Sequence, residues 1–218
     1  MSKRTLAGAI ALLAAPIIVI AGTLAQPALS DDVASQVAAL TDHRGAMITS
    51  TALSTIAVVL LIGGLIWFAL ALAPYAPRLA RAGGVLGVFG SLVVLFENSV
   101  AATFPAIVGG LDQIQATSVL DRIHSGAITA LGPLSIIGAI GLALLGLAAV
   151  KAGAPRWAGA AIAVGALAEG AGFAAGSKAL VIIAFAVLFL GLLQAVRTLA
   201  ASPAPRLAAS GAKAAAVS

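Results

Sequence analysis

The chain has 218 residues, of which 61% are hydrophobic and 9% charged, with a net charge of +5, a mean hydropathy of +1.15 and no cysteine. So few polar residues cannot cover a water-facing surface, which excludes a soluble globular domain and makes lipid the expected solvent. Disulfides, thiolate metal sites, iron–sulfur clusters and thiol redox chemistry are excluded with the cysteines.

A bilayer-crossing helix needs about 20 apolar residues. Such stretches occur at 6–25, 46–72, 83–108, 126–150, 157–175 and 179–196. The expected fold is all-α: a polytopic membrane protein of about six transmembrane helices in one domain over 1–200, with a disordered cytoplasmic tail at 201–218. Lys3 and Arg4 precede span one, and the small residues around 25–30 would suit a signal-peptidase site. Span one, at 25−6+1 = 20 residues, exceeds the roughly 7–15 of a signal-peptide core. An uncleaved helix is therefore expected; cleavage would leave five spans.

After span one, Val33, Val37 and Leu40 make one apolar stripe, with Asp31 and Asp32 where a helix dipole favours acids. This predicts a short interfacial helix. Span two opens at His43-Arg44-Gly45-Ala46, and its first half carries Thr49, Ser50, Thr51, Ser54 and Thr55. In span three Gly83, Gly87, Gly90, Val94, Glu97 and Ala101 share one helical face, Asn98 adjoins Glu97, and Pro105 lies near the end. Ser118-x-x-Asp121 resembles a capping box, predicting a helix over 118–125 that runs into span four. Span four opens at His124-Ser125-Gly126-Ala127 and contains Pro133; span five carries Gly165, Glu169, Gly172 and Gly176 on one face. Both interfacial helices are expected to roof a core bundle of four helices, spans two to five.

Placing the N-terminus in the cytoplasm puts Lys3, Arg4, Arg78, Arg81, Lys151, Arg156, Arg197, Arg206 and Lys213 inside and only Arg44, Arg122 and Lys178 outside. That bias obeys the positive-inside rule, with Trp67, Tyr75 and Trp157 near the inner interface and both termini cytoplasmic. The expected location is a plasma (inner) membrane. No basic run is dense enough to track phosphates, so no nucleic-acid partner is expected. A weak repeat relates spans two–three to four–five: each pair opens at His-x-Gly-Ala, and Ala-Pro-Arg recurs at 76–78, 154–156 and 204–206.

No Lys or Arg lies within a span to neutralise Glu97 or Glu169. A carboxylate at mid-membrane is costly when ionised, so each is expected to be protonated, hydrogen-bonded to a neighbouring helix, or lining a wet cavity. Small-residue faces are where membrane helices approach closely, so both glutamates should point into the bundle. Asn98, Thr51 and Ser54 are candidate partners for a bound ligand or proton. His43 and His124, with Asp121 three residues before the latter, could hold a divalent metal, although no His-x-x-x-His pair is present. Their place at the membrane edge argues against a bis-histidine haem, and no nucleophile, P-loop or Rossmann motif occurs.

Asp42-His43-Arg44-Gly45, the segment Pro-Arg-Leu-Ala-Arg-Ala-Gly-Gly at 77–84 and Ala-Pro-Arg-Trp-Ala at 154–158 resemble uncharacterised six-helix integral membrane proteins of high-GC bacteria. The resemblance covers about residues 30–197 and implies that architecture, with no catalytic residue to carry over. The expected function is non-enzymatic: binding or passage of a small cationic or polar solute, or protons, through an outward-facing pocket containing Glu97 and Glu169. Two other readings stand beside it, a scaffold that oligomerises through glycine-rich faces and a metal- or quinone-linked membrane enzyme. No cofactor is expected beyond that divalent metal.

Overall fold

The computed structural model describes the backbone of residues 3–27 and 32–201 and the side chains of 5–27, 32–126 and 133–201. The expected tail and the region around residue 30 lie outside the described residues. The elements are α1 (Lys3–Ala25), α2 (Val33–Asp42), α3 (Arg44–Leu72), α4 (Pro77–Ala101), α5 (Phe104–Val108), α6 (Gln113–Ile123), a π-helical turn (His124–Ile128), α7 (Thr129–Lys151), α8 (Arg156–Ala174) and α9 (Lys178–Ala201). Six segments, α1, α3, α4 continued by α5, α7, α8 and α9, are long and apolar enough to cross a membrane. The chain is an all-α polytopic membrane protein. Its outer faces carry Leu70 and Val85, 69% and 68% exposed, surfaces that lipid solvates and water would not.

Local chemistry sets the boundaries. Pro77 opens α4 six residues before the expected start, because its missing N–H is an orphan at a first helical position anyway. The expected span to residue 108 breaks after Ala101: Pro105 has no N–H to continue the ladder, and it re-enters in the first turn of α5. Asp32 caps α2, accepting from the Ser35 N–H at 2.8 Å and the Ser35 hydroxyl at 2.6 Å. The expected capping box is corrected. Asp112, in extended conformation, accepts from the Gln115 N–H at 2.8 Å and starts α6 at Gln113, so Ser118 lies inside the helix. Gly153 (φ 100°) and Gly176 (φ 60°) close the tight α7–α8 and α8–α9 turns, which demand left-handed backbone; Ala154 N–H returns to the Ala149 carbonyl and Ser177 N–H to the Gly172 carbonyl.

The six spans form a closed ring in chain order. The expected four-helix core of spans two to five is corrected: α3 and α8 do not close on each other, and α1 and α9 are full members of the ring, packing on α3, on α8 and on each other, with only brief contact across the middle. Packing is most extensive within three antiparallel pairs, α1 with α3, α4 with α7 and α8 with α9, and lighter between pairs. Glycines explain the pairs. A Cβ on Gly64 would meet the Leu12 backbone at 2.6 Å, one on Gly90 would meet Gly138 Cα at 2.3 Å, and one on Gly165 would meet Leu188 N at 2.7 Å. The unit of packing is thus offset by one span from the sequence repeat, and Ala-Pro-Arg at 76–78 and 154–156 follows the second helix of a pair.

Two apolar clusters close the ends. At the basic end, Leu12, Leu65, Phe68, Leu72, Leu145 and Leu192 fill the ring and are fully buried. At the other, capped end, Val37 and Leu40 of α2, Phe104 and Val108 of α5, and Ala116 and Leu120 of α6 form a roof over α3 and α4. The Lys178 ammonium, at the start of α9, donates to the carbonyl of Gln26 beyond α1 and ties those two helices at the capped end.

Candidate functional site

Between the roof and the basic-end cluster lies a cavity of about 140 Å³, lined by residues from all six spans. Its walls are largely apolar: Pro16 and Val19 of α1, Val58 and Leu61 of α3, Val94 of α4, Leu142 of α7, Phe173 of α8 and Phe185 of α9 all reach it. Among the described residues, four ionisable or hydroxyl side chains do so: Ser54, Ser91, Ser135 and Glu169. The Ser91 hydroxyl is engaged by its own helix, donating to the Gly87 carbonyl at 2.8 Å. The Ser54 hydroxyl accepts from the Asn98 side-chain amide at 2.9 Å, a bond that joins α3 to α4.

Glu169 is different. The residue is half-buried, and among the described residues its carboxyl has no hydrogen-bond or ion-pair partner and is open to the cavity space rather than sealed in the core. Its position follows from the face it shares with Gly165 and Gly172. Those glycines admit α9, a Cβ on Gly172 meeting Val181 N at 2.9 Å, and the close fit leaves Glu169 turned to the ring interior beside Ala166 and Phe173. A cavity of 140 Å³ holds about five waters at roughly 30 Å³ each, or one benzene-sized molecule, since apolar cavities of about 150 Å³ take up benzene. A lone carboxyl in such walls can donate a proton or hydrogen bond to a neutral base, or counter a cation.

The two glutamates, expected together, are separated. Glu97 is half-buried on α4 and does not line the cavity; beside it Phe96 faces lipid at 53% exposure, and the Glu97 carboxyl also lacks a protein partner among the described residues. Thr51 is half-buried one turn before Ser54, and its carbonyl accepts from the Thr55 hydroxyl at 2.8 Å.

His43, His124 and Asp121 do not assemble into a ligand set: among the described residues no three of His, Asp or Glu gather to hold a metal. His43 is exposed at the α2–α3 junction. His124 folds back, its Nδ1 paired with the Leu120 carbonyl at 2.9 Å and its ring tilted against Phe104 at 5.7 Å, which replaces the expected contact with Asp121. Asp121 is exposed and lines a shallow surface groove with Asp32, between α2 and α6. The Ser35 donors hold the Asp32 carboxyl below its usual range.

Three lining residues, Ser91, Ser135 and Pro16, do not stand out in the sequence as site candidates. Ser91 repeats at helical spacing with Gly87 and Val94, and Ser135 with Gly138 and Leu142, so both stripes were visible. Their convergence depends on closure of the ring, for which the chain alone carries no signal. Comparison with protein-family models, with curated proteins and with solved structures gives no match.

Proposed function

We propose that the chain is a non-enzymatic protein of a bacterial plasma membrane, with both termini cytoplasmic and α2, α5 and α6 outside. It binds a small cationic or polar solute, or a proton, at Glu169. The observation that carries this reading is an unpartnered carboxyl in a cavity to which six helices contribute. Intramembrane carboxyls are expensive, and one left without a protein partner has its hydrogen-bonding capacity available to a ligand. Ser54, held by Asn98, supplies a second polar contact on the opposite wall. Glu97 and Thr51, nearer the capped end, would serve as a further stop if the solute passes through to the outer face.

The alternatives have less support. A metal-linked enzyme needs ligands that His43, His124 and Asp121 do not bring together. A scaffold that oligomerises through the glycine faces of α4 and α8 competes with the packing of those faces against α7 and α9 of the same chain. The test is Glu169→Gln in nanodiscs, scored by calorimetric titration with small cations and amines. Loss of binding with an unchanged elution profile and helicity is the expected result, and binding equal to that of the parent chain refutes the proposal.

A further inference from the structure

Resting on that reading, we infer that the ligand of the Glu169 cavity is a lipid-soluble amine, an apolar body bearing one basic nitrogen, and that it arrives sideways from the bilayer between α7 and α8. The route is written in the exposure of the cavity lining. Ile136 of α7 and Leu167, Gly170 and Phe173 of α8 are its exposed members; the lining side chains from the other four spans are buried or half-buried. Ile136 shares a helical face with the lipid-facing Ile140, and Leu167 with Val164, so the cavity reaches the lipid surface along one seam.

The seam is closed at one end and open at the other. Near the basic end α7 and α8 touch, a Cβ on Gly146 meeting the Gly159 carbonyl at 2.7 Å; toward the capped end no atom of the described residues lies within 4 Å of the Cβ position of Gly170. The π-helical turn and Pro133 both lie in the half of span four nearer the capped end. Such irregularities bend a membrane helix. Among the described residues, the roof covers the capped ends of α3 and α4, and fully buried leucines fill the ring at the basic end.

The walls and the portal together select the chemistry. A permanently charged ion does not cross hydrocarbon at useful rates, whereas a neutral amine partitions into it. Inside, the proton of the Glu169 carboxyl moves to the amine nitrogen, leaving a carboxylate hydrogen-bonded to an ammonium; both partners arrive neutral and no net charge is buried. The cavity volume of about 140 Å³ limits the body to benzene size, as in apolar cavities of about 150 Å³ that take up benzene. Benzylamine meets these requirements.

The full chain in nanodiscs is titrated with benzylamine, with benzyl alcohol as a neutral analogue of similar size and with potassium chloride, against empty nanodiscs. Benzylamine binding at least tenfold tighter than benzyl alcohol, with that preference erased in Glu169→Gln, is the expected result. In parallel, a nitroxide on Gly170→Cys, a position with room for it in a cysteine-free chain, is expected to collide more with oxygen than with a water-soluble nickel chelate. Chelate dominance overturns the lateral route. Potassium binding that requires Glu169, without benzylamine binding, overturns the ligand class and leaves the proposed function standing; binding of neither probe overturns both.

Discussion

Replacing Gly141 by alanine tests the packing that forms the ring. An added Cβ would lie 2.2 Å from Gly87 N, 2.7 Å from Gly87 Cα and 2.8 Å from the Gly83 carbonyl oxygen. All three are backbone atoms, so no rotamer change relieves the clash, and α7 must move from α4 by about 3.4−2.2 = 1.2 Å to reach ordinary contact. Overpacking of this kind costs about 1–3 kcal/mol. At 1.4 kcal/mol per factor of ten, the ratio of folded to unfolded protein falls roughly 5- to 150-fold. Gly63→Ala is the control, since no atom of the described residues lies within 4 Å of its Cβ position and alanine favours helix by about 1 kcal/mol over glycine. Reversible unfolding by sodium dodecyl sulfate should rank Gly141→Ala below the parent chain and Gly63→Ala at or above it. Equal stability of the two variants would refute the claim that glycine contacts weld α4 to α7.

The bond from Asn98 to Ser54 should couple α3 to α4 by about 0.6 kcal/mol in a double-mutant cycle with alanines, the order found for hydrogen bonds between membrane helices; zero coupling contradicts the contact. The folded-state pKa of Asp32 is lowered, so its contribution to α2 is complete above the ordinary carboxylate value of 3.8 and is lost as pH falls through the lowered value. Amide protection at Ser35 should follow that loss and become independent of pH in Asp32→Asn, which keeps the cap without the charge; a pH-independent parent contradicts this. Ser118→Cys, exposed on α6, should react with an impermeant thiol reagent on intact cells; labelling only after lysis reverses the assigned orientation.

The sequence carried the spans, the α2 stripe and the close-packing glycine faces of α4 and α8 clearly, because hydropathy and helical periodicity are local properties. It carried end points less well. Asp112 and Ser118 are both respectable helix starts, and the chain uses the earlier one because Asp112 reaches the Gln115 N–H. Nor could it separate Glu97 from Glu169. Each sits among small residues at the same spacing, and they part company only because α9 occupies Gly165 and Gly172 so that Glu169 turns inward, while α7 meets α4 at Gly83, Gly87 and Gly90, below Glu97. The portal is a further step removed, arising from which residues of two neighbouring helices border both the cavity and the lipid face.

The most direct test of Glu169 as the ligand-binding group is an infrared difference spectrum of the chain in nanodiscs on adding benzylamine, with Glu169→Gln and Glu97→Gln for assignment. A carboxyl signal that changes with the amine, vanishes in Glu169→Gln and persists in Glu97→Gln is the predicted result. A spectrum unaltered by the amine, or one whose change survives in Glu169→Gln, would contradict it.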